Sequence, residues 1–266
     1  MNDKIQNHKT VLITGATGAI GKAIAGLIAK DPVFRVVLLA RNKKKAGITV
    51  DELIRTTGNR NISFVVADVS RKKEVQALAN SWNSPIHVLI NDAGVTPRNR
   101  EETTEGIEMQ WATNVLGYFW MMKYFAPHLK KAGWARIVNV ASYWAGGLDF
   151  DDPEFKTRQY NNNTAYRQSK QADRMLTVAF AERLKLSGIT VNACHPGDVR
   201  STLSHNLGFG GHESPEQGAA TPVWLASSTE VEGMTGKYFE HLKKSSCIFG
   251  NDRKRVERLY QLCNSY

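Results

Sequence analysis

Cysteine is scarce in this sequence of 266 residues, and long hydrophobic runs are missing from it. Cys194, Cys247 and Cys263 have no Cys-x-x-Cys or histidine spacing, so neither a disulfide framework nor a metal site is predicted. No stretch approaches the roughly 18 apolar residues of a membrane-spanning helix, and the polar residues 1–9 lack the apolar core of a secretory signal. We therefore expect a cytoplasmic protein without a membrane span.

Acidic residues are outnumbered by basic ones. Lys and Arg total 35 against 25 Asp and Glu, which gives a net charge of +10. This excess suits a nucleic-acid binder, a membrane-surface protein or an enzyme for anionic ligands. The short basic runs at 43–45 and 253–255 are not interleaved with aromatic residues as a stacking platform would be, so we expect no nucleic-acid partner.

Short β-branched runs alternate with longer patterns of helical period, which is typical of βαβ units. We predict one α/β domain over residues 1–266, a Rossmann fold with a doubly wound parallel sheet of six to seven strands and helices on both faces. The predicted strands are 11–13, 36–39, 62–66, 88–90, 137–140 and 189–191, with 236–239 as an optional seventh. The predicted helices are 20–29, 72–81, 105–131, 164–186 and a short basic helix at 253–262.

Two segments interrupt this alternation, at about 143–163 and 203–214. Both are rich in residues that favour loops, and both follow predicted strands. Ligands of open α/β sheets bind beyond the carboxyl ends of the strands. We therefore predict that these two loops form substrate walls.

A glycine-rich turn follows the first predicted strand and leads into a helix. Glycines there permit a tight turn and close approach of backbone N–H groups to a pyrophosphate, which the helix N-terminus favours. An ordinary glycine-rich turn is the alternative. The predicted cofactor-binding residues of this turn are Gly15, Thr17, Gly18, Ala19, Ile20 and Gly21.

Further cofactor contacts are predicted after the next three strands. Arg41 stands where an acidic residue would bind the ribose of NAD, and its guanidinium suits a 2′-phosphate, so we predict that NADP(H) is preferred over NAD(H). Asp68 either accepts a bond from adenine, with Val69 bounding the ring, or caps the following helix. The small residues at 91–94 allow the backbone to approach the nicotinamide ribose, and this predicts contacts from Asn91, Ala93 and Gly94.

Tyr166 and Lys170 stand four residues apart in a predicted helix, so their side chains share one face. A neighbouring ammonium favours the phenolate and so lowers the high pKa of a phenol. Ser142 follows the fifth strand and can donate a hydrogen bond to a carbonyl oxygen that gains charge during hydride transfer. Asn114 lies unfavourably in mid-helix, which suggests a role such as holding water; a solvent-facing asparagine is the alternative.

These motifs together resemble the short-chain dehydrogenase/reductase family over nearly the whole chain. The matching positions, in family order, are 14–21, 91–94, 114, 142, 166–170 and 196–199. The long interval between Ser142 and Tyr166, and His195 before Pro196, are similar to the branch with retinol dehydrogenases, the WW-domain oxidoreductase and protochlorophyllide reductase. Members of this branch usually have glycine in place of Ala19, and a second asparagine in place of Asp92.

The resemblance implies a role for each matched residue. Tyr166 is then the general acid/base, Lys170 binds the nicotinamide ribose and tunes Tyr166, Ser142 orients the carbonyl, and Asn114 holds a proton-relay water. The resemblance also assigns cofactor contacts to the segment after the sixth strand, with Ser201 bonding the carboxamide. The residues assigned in this segment are Pro196, Gly197, Val199 and Ser201.

The predicted function is reversible hydride transfer between NADP(H) and a carbonyl or alcohol carbon of a small molecule. The predicted pocket residues suggest an apolar or aromatic substrate; they are Val95, Tyr143, Trp144, Leu203, Leu207 and Phe209. An extended-type epimerase or dehydratase is one alternative, because Gly15, Gly18 and Gly21 match that glycine spacing. A non-catalytic NADP(H)-sensing or scaffold module is another, and the sequence leaves monomer and homodimer open.

Overall fold

The computed structural model describes residues 8–266, whose centre is an eight-stranded sheet in the order β3-β2-β1-β4-β5-β6-β7-β8. The first seven strands run parallel, and β8 pairs with β7 in the antiparallel direction. The strands are β1 (Lys9–Thr14), β2 (Phe34–Ala40), β3 (Ile62–Val66), β4 (Val88–Asn91), β5 (Ala135–Val140), β6 (Ile189–Cys194), β7 (Tyr238–Glu240) and β8 (Lys243–Ser245).

All seven predicted strands are present, and the α/β doubly wound fold is confirmed. The central strands are nearly continuous runs of buried Val, Ile and Leu, as expected where helices cover both faces of a sheet. The predicted strand count of six to seven is too low by one. β8 was missed because it is three polar residues long and lies on the edge, where no buried apolar pattern is required.

Helices cover both faces of the sheet. The helices are α1 (Ala19–Ala29), α2 (Lys43–Thr57), α3 (Lys72–Ser81), α4 (Gly117–Lys130), α5 (Asn162–Leu184), α6 (Thr202–Asn206), α7 (Pro215–Ser227) and α8 (Arg253–Ser265). Apolar residues of α1, α2 and α7 share one core layer with the sheet, and those of α3, α4, α5 and α8 share the other. Across residues 8–266, none of these helices has both the length and the apolar character that crossing a bilayer requires.

The helix predicted for 105–131 begins later than expected. Residues before Met109 form a turn, in which Glu102 and Glu108 make an isolated antiparallel bridge. The Glu108 carboxylate accepts bonds from the N–H groups of Gln110 and Trp111, at 2.9 and 2.7 Å, and so satisfies donors that the first helical turn leaves free. A π-helical segment, Trp111–Leu116, then leads into α4.

The two predicted loops lie at the carboxyl edge of the sheet. No helix or strand is formed between the end of β5 and the start of α5, so the first predicted segment is a loop as far as residue 161, and its last two residues begin α5. The second contains most of α6, which was not predicted because five helical residues give too short an apolar pattern. The chain crosses from β3 at one edge to β4 beside β1, and this change of direction opens a crevice at the ends of these strands.

Candidate active site

A cavity of about 600 Å³ lies along the carboxyl edge of the sheet, and most of the predicted site residues line it. It extends from the glycine turn after β1 to the loops that follow β5 and β6. The predicted residues in its wall are Gly15, Thr17, Gly18, Ala19, Ile20, Arg41, Asp68, Val69, Ala93, Gly94, Ser142, Tyr166, Lys170, Pro196, Gly197, Val199 and Ser201. Gly21, Asn91 and Asn114 are not in the wall, and each has another position.

The glycine turn is packed so tightly that side chains are excluded from two of its positions. Gly15 has a φ of +66°, and a Cβ there would lie 2.7 Å from the Ala93 Cα. A Cβ at Gly21 would lie 2.5 Å from the Gly15 carbonyl oxygen, so Gly21 supports the turn from behind. The first turn of α1 carries no acidic residue, and the N–H groups of Ala19 and Ile20, which have no partner within the helix, provide a cradle for phosphate.

Basic groups surround the end of β2. Arg41 directly follows the strand and lines the cavity beside Asn42 and Lys45. Asn42 caps α2 by accepting a bond from the Lys45 N–H at 2.9 Å, which fixes the start of that helix at the cavity. The sequence did not lead us to predict Lys45 as a cavity residue, because the basic run at 43–45 is typical of a solvated face.

Asp68 follows β3, and its carboxylate accepts bonds from the backbone N–H and the hydroxyl of Ser70 at 2.9 and 2.7 Å. The N-cap of α3 is Arg71, so the helix-cap interpretation of Asp68 is wrong. Asp68 and Val69 both line the cavity, which leaves the adenine interpretation open.

Residues 91–94 lie partly in the sheet and partly in the cavity wall. Asn91 is fully buried within β4, and its amide donates to Asn139 on the neighbouring strand at 2.9 Å. Asp92 lines the cavity, and its carboxyl accepts a bond from the Gly21 N–H at the start of α1. Burial raises the pKa of Asp92 to about 8, against the opposing effects of Lys170 and of this hydrogen bond.

Asn114 is fully buried in the π-helical segment, so the solvent-facing alternative is wrong. Its side chain accepts from the Val95 N–H at 2.9 Å and donates to the Val95 carbonyl at 3.1 Å. The side chain therefore pairs with the loop after β4 as a peptide group would. Short π-helical segments often occur at functional sites, and this one places Thr113 in the cavity wall.

Tyr166, Lys170 and Ser142 lie together in the cavity. α5 starts at its N-cap Asn161 and carries both Tyr166 and Lys170 on the face toward the cavity. The Lys170 ammonium donates to the Val140 carbonyl at 2.9 Å and lies 2.9 Å from the Asp173 carboxylate. The Ser142 backbone carbonyl accepts a bond from Arg174 at 2.6 Å, so α5 also holds the loop that carries this serine.

The pKa of Tyr166 is set by opposing effects. Burial raises it, whereas the Lys170 charge and a hydrogen bond with the Ser142 side chain lower it, and the net direction is upward. Burial would also lower the pKa of Lys170, but the negative Asp173 beside it leaves the pKa raised. A protonated phenol next to a charged ammonium is the arrangement needed to deliver a proton to an oxygen atom.

The loop after β6 forms the far wall of the cavity. Gly197 has a φ of +100°, and the Glu213 carboxylate fills the space that a side chain there would need. Ser201 is the N-cap of α6, and its hydroxyl accepts from the Ser204 N–H at 3.1 Å. His195 and Asp198 also line the cavity, although neither was predicted to contact a ligand.

Aromatic residues narrow the cavity near Ser142. The rings of Trp144 and Phe209 lie 4.6 Å apart, and Tyr143 packs edge-on against His195 at 4.6 Å. Of the predicted pocket residues, the cavity wall contains Val95, Trp144, Leu203 and Phe209 but not Tyr143 or Leu207. Leu207 is buried in the loop instead, and Tyr143 supports the wall from outside.

Comparison with known proteins agrees with this geometry. A family model described as short chain dehydrogenase matches residues 9–208. Human retinol dehydrogenase 13 is 33% identical over 95% of this chain and 82% of its own length. A probable oxidoreductase of Streptomyces antibioticus is 33% identical over 93% of this chain and 89% of its own length. The chain belongs to the short-chain dehydrogenase family, and its similarity to retinol dehydrogenases confirms the predicted branch.

Solved structures share the fold. An uncharacterised protein of Mycobacterium paratuberculosis superposes with a TM-score of 0.81 at 24% identity, covering 97% of this chain and 92% of its own. The 3-ketoacyl-(acyl-carrier-protein) reductase of Brucella melitensis, solved with NADH, gives a TM-score of 0.68 at 25% identity over 88% of this chain and 96% of its own. The chain is thus an oxidoreductase of a family whose fold holds a nicotinamide cofactor.

Proposed function

We propose that this protein is an NADP(H)-dependent oxidoreductase that interconverts a carbonyl and an alcohol on an apolar or aromatic small molecule. The observation that carries the proposal is the meeting of Tyr166, Lys170 and Ser142 in one cavity with the glycine turn. The tight Gly15 cradle and the open N-terminus of α1 fit a dinucleotide pyrophosphate. When bound, the nicotinamide supplies the hydride.

The chain's own residues manage the oxygen atom of the substrate. Ser142 donates a hydrogen bond to this oxygen, which gains negative charge as the carbon is reduced. Tyr166 gives its phenolic proton to the same oxygen, and Lys170 stabilises the phenolate that remains. In the oxidation direction, Tyr166 takes the proton back.

Arg41 and Lys45 support a preference for NADP(H). Both line the cavity at the end of β2, where the adenosine ribose lies in this fold. A guanidinium can bind a phosphate through two parallel hydrogen bonds, whereas the ribose hydroxyls of NAD favour a carboxylate at this position. The charge at this end of the cavity therefore matches a 2′-phosphate.

The cavity wall supports an apolar or aromatic substrate, and the three thiols support a cytoplasmic location. Trp144, Phe209 and Leu203 present apolar surface beside Ser142. Desolvating such a wall favours an apolar or aromatic substrate. The three cysteines are free thiols, which suits action in the reducing cytoplasm.

Replacing Tyr166 with phenylalanine tests the proposal directly. Tyr166→Phe removes only the phenolic oxygen, so carbonyl reduction should fall about 100-fold or more while NADPH affinity stays unchanged. The assay is NADPH oxidation across ketones, aldehydes and enones, repeated with NADH, together with NADPH binding followed by fluorescence. Full activity of the variant refutes the role of Tyr166, and tight NADPH binding without turnover by the wild type supports the sensing module instead.

A further inference from the structure

The proposed reaction leaves one buried acidic side chain beside the site unused. Asp173 lies one turn after Lys170 in α5 and has no solvent exposure. Its Oδ2 lies 2.9 Å from the Lys170 ammonium, and its Oδ1 has no hydrogen-bond partner among the described residues. Burying a carboxylate in this way is costly unless a positive charge compensates it. Asp173 is therefore tied to the charge of Lys170.

The geometry around Lys170 divides its three N–H donors between the protein and the cavity. One donor goes to the Val140 carbonyl and a second to Asp173, both at 2.9 Å. The ammonium also lies 5.0 Å from the Tyr118 ring centre, which closes another side. With two donors fixed, the third is left for a ligand in the cavity that Lys170 lines.

We propose that Asp173 is a positioning residue, whose carboxylate holds the Lys170 ammonium in place and sets the pH range in which Tyr166 donates its proton. This inference rests on the proposed function. Asp173 itself does not contact the substrate; it acts through Lys170 and through its charge.

The charge of Asp173 acts on Tyr166 in a definite direction. Several polar or ionisable groups from separate elements face the Tyr166 and Lys170 pair, namely Asp92, Tyr118, Ser142, Asp173, Cys194 and Asp198. The pKa of Asp173 is raised by burial to about 7, so Asp173 is ionised in the alkaline range where a phenol titrates. A negative charge there opposes a phenolate, and the phenolate together with Asp92 keeps the Lys170 ammonium charged, so we expect neutralising Asp173 to lower the pKa of Tyr166.

The test compares three variants by the pH dependence of kcat/KM for NADPH-dependent carbonyl reduction. Asp173→Asn keeps the shape and removes the charge, and we expect the alkaline limb to move down by about one pH unit. Asp173→Glu restores the charge and should return the limb toward its wild-type position. Thr177→Val is the matched control, because the buried Thr177 hydroxyl donates to the Asp173 backbone carbonyl without carrying charge. The alkaline limb of this control should coincide with that of the wild type.

A second readout needs neither cofactor nor turnover. Phenolate absorbance is titrated against pH in the wild type and in Asp173→Asn, each with and without Tyr166→Phe. In each background the difference between the two curves isolates the titration of Tyr166. The midpoint of this titration should lie at lower pH in Asp173→Asn than in the wild type. Asp173→Ser makes the same charge change if the asparagine variant does not fold. A step that is unmoved or raised overturns the inference. If the wild type shows no carbonyl reduction, the proposed function is wrong. The inference about Asp173 is still tested, because the titration of Tyr166 needs no turnover.

Discussion

At the scale of single residues, burial sets the charge states around the cavity. Burial raises the pKa of the Asp92 carboxyl to about 8. His195 has only 7% of its surface exposed, and burial lowers its pKa to about 4, with His241 and Arg174 adding smaller effects of the same sign. The sequence alone leads us to expect a packed or hydrogen-bonded histidine without a catalytic role at this position, and the edge-on contact with Tyr143 agrees with the packed alternative. Such residues make the stability of the fold depend on pH.

His195 should weaken the fold in mild acid. The native ring stays neutral until about pH 4, whereas the ring in the unfolded chain takes up a proton as pH falls through 6.5. At His195 the unfolded state therefore binds more protons between these values, so the contribution of His195 to the free energy of unfolding should fall by about 2 kcal/mol from pH 7 to pH 5. The raised pKa values of Asp92 and Asp173 act in the opposite sense, so the contribution is measured as a difference between the wild type and His195→Gln, from denaturant titrations of both proteins at both pH values. The variant should lack this contribution, and a pH dependence equal to that of the wild type would contradict the assignment.

At the scale of elements, the turn between β1 and α1 depends on space more than on sequence pattern. Gly21 does not line the cavity, yet it lies against the Gly15 carbonyl, the Ala16 Cα and the Asp92 carboxylate. Any side chain there must push the turn forward into the region where phosphate would bind. The turn is thus a packed unit, and its anion-binding N–H groups depend on a residue behind them.

Gly21→Ala should damage both the turn and cofactor binding. The added methyl group would lie within 2.9 Å of three atoms, so we expect NADPH affinity to fall by more than about tenfold and the free energy of unfolding by about 1–3 kcal/mol. Gly47→Ala in α2 is the matched control, because its nearest neighbour is 4.0 Å away. That change should stabilise the helix by about 0.5–1 kcal/mol and leave affinity unchanged. Calorimetric binding and thermal melts measure both, and unchanged affinity in Gly21→Ala would contradict the packed turn.

Local chemistry explains which elements the sequence predicts. The predicted strands are apolar enough to be found by composition, but α2 and α7 were missed because their buried faces are narrow. α7 has a readable signal, since Ser214 and Gln217 form a capping box and Pro215 occupies the first turn. α2 has a cap at Asn42 and a left-handed glycine after its end, but its run of lysines hid the pattern.

In the candidate site, arrangements within one helix could be predicted from the sequence, whereas contacts between distant segments could not. Tyr166 and Lys170 were predictable together because four residues in one helix determine their common face. The pairing of Asn114 with Val95 and the hold of Arg174 on the Ser142 carbonyl join distant segments. Asp173 is close in sequence, yet an aspartate three residues after a lysine is common on solvated helices; only burial distinguishes it.

At the scale of the whole molecule, the end of the chain is packed into one core layer. Val256, Leu259 and Cys263 of α8 are buried with residues of α3, α4 and α5. The Tyr260 ring lies 5.2 Å from that of Phe119 and 5.5 Å from that of Phe180. This packing argues that α8 unfolds with the sheet, as the single-domain prediction for residues 1–266 requires.

Leu259→Ala should destabilise the whole fold. Leu259 is fully buried, so the substitution leaves a cavity and should reduce the free energy of unfolding by about 2–5 kcal/mol. Because the core layer is shared, the helix signal in circular dichroism and the near-ultraviolet signal of the aromatic side chains should be lost together in one transition. An early, separate loss of helix signal would indicate that α8 melts alone and would contradict the single cooperative unit.

β8 has a consequence for how copies of this protein meet in concentrated solution. It pairs with β7 over three residues, and its exposed Lys243 and Lys244 place two positive charges at that end of the sheet. A neighbouring molecule that tried to extend the sheet by adding a strand would have to strip water from both ammonium groups and would gain few backbone hydrogen bonds. This three-residue edge strand thus disfavours aggregation through the sheet edge.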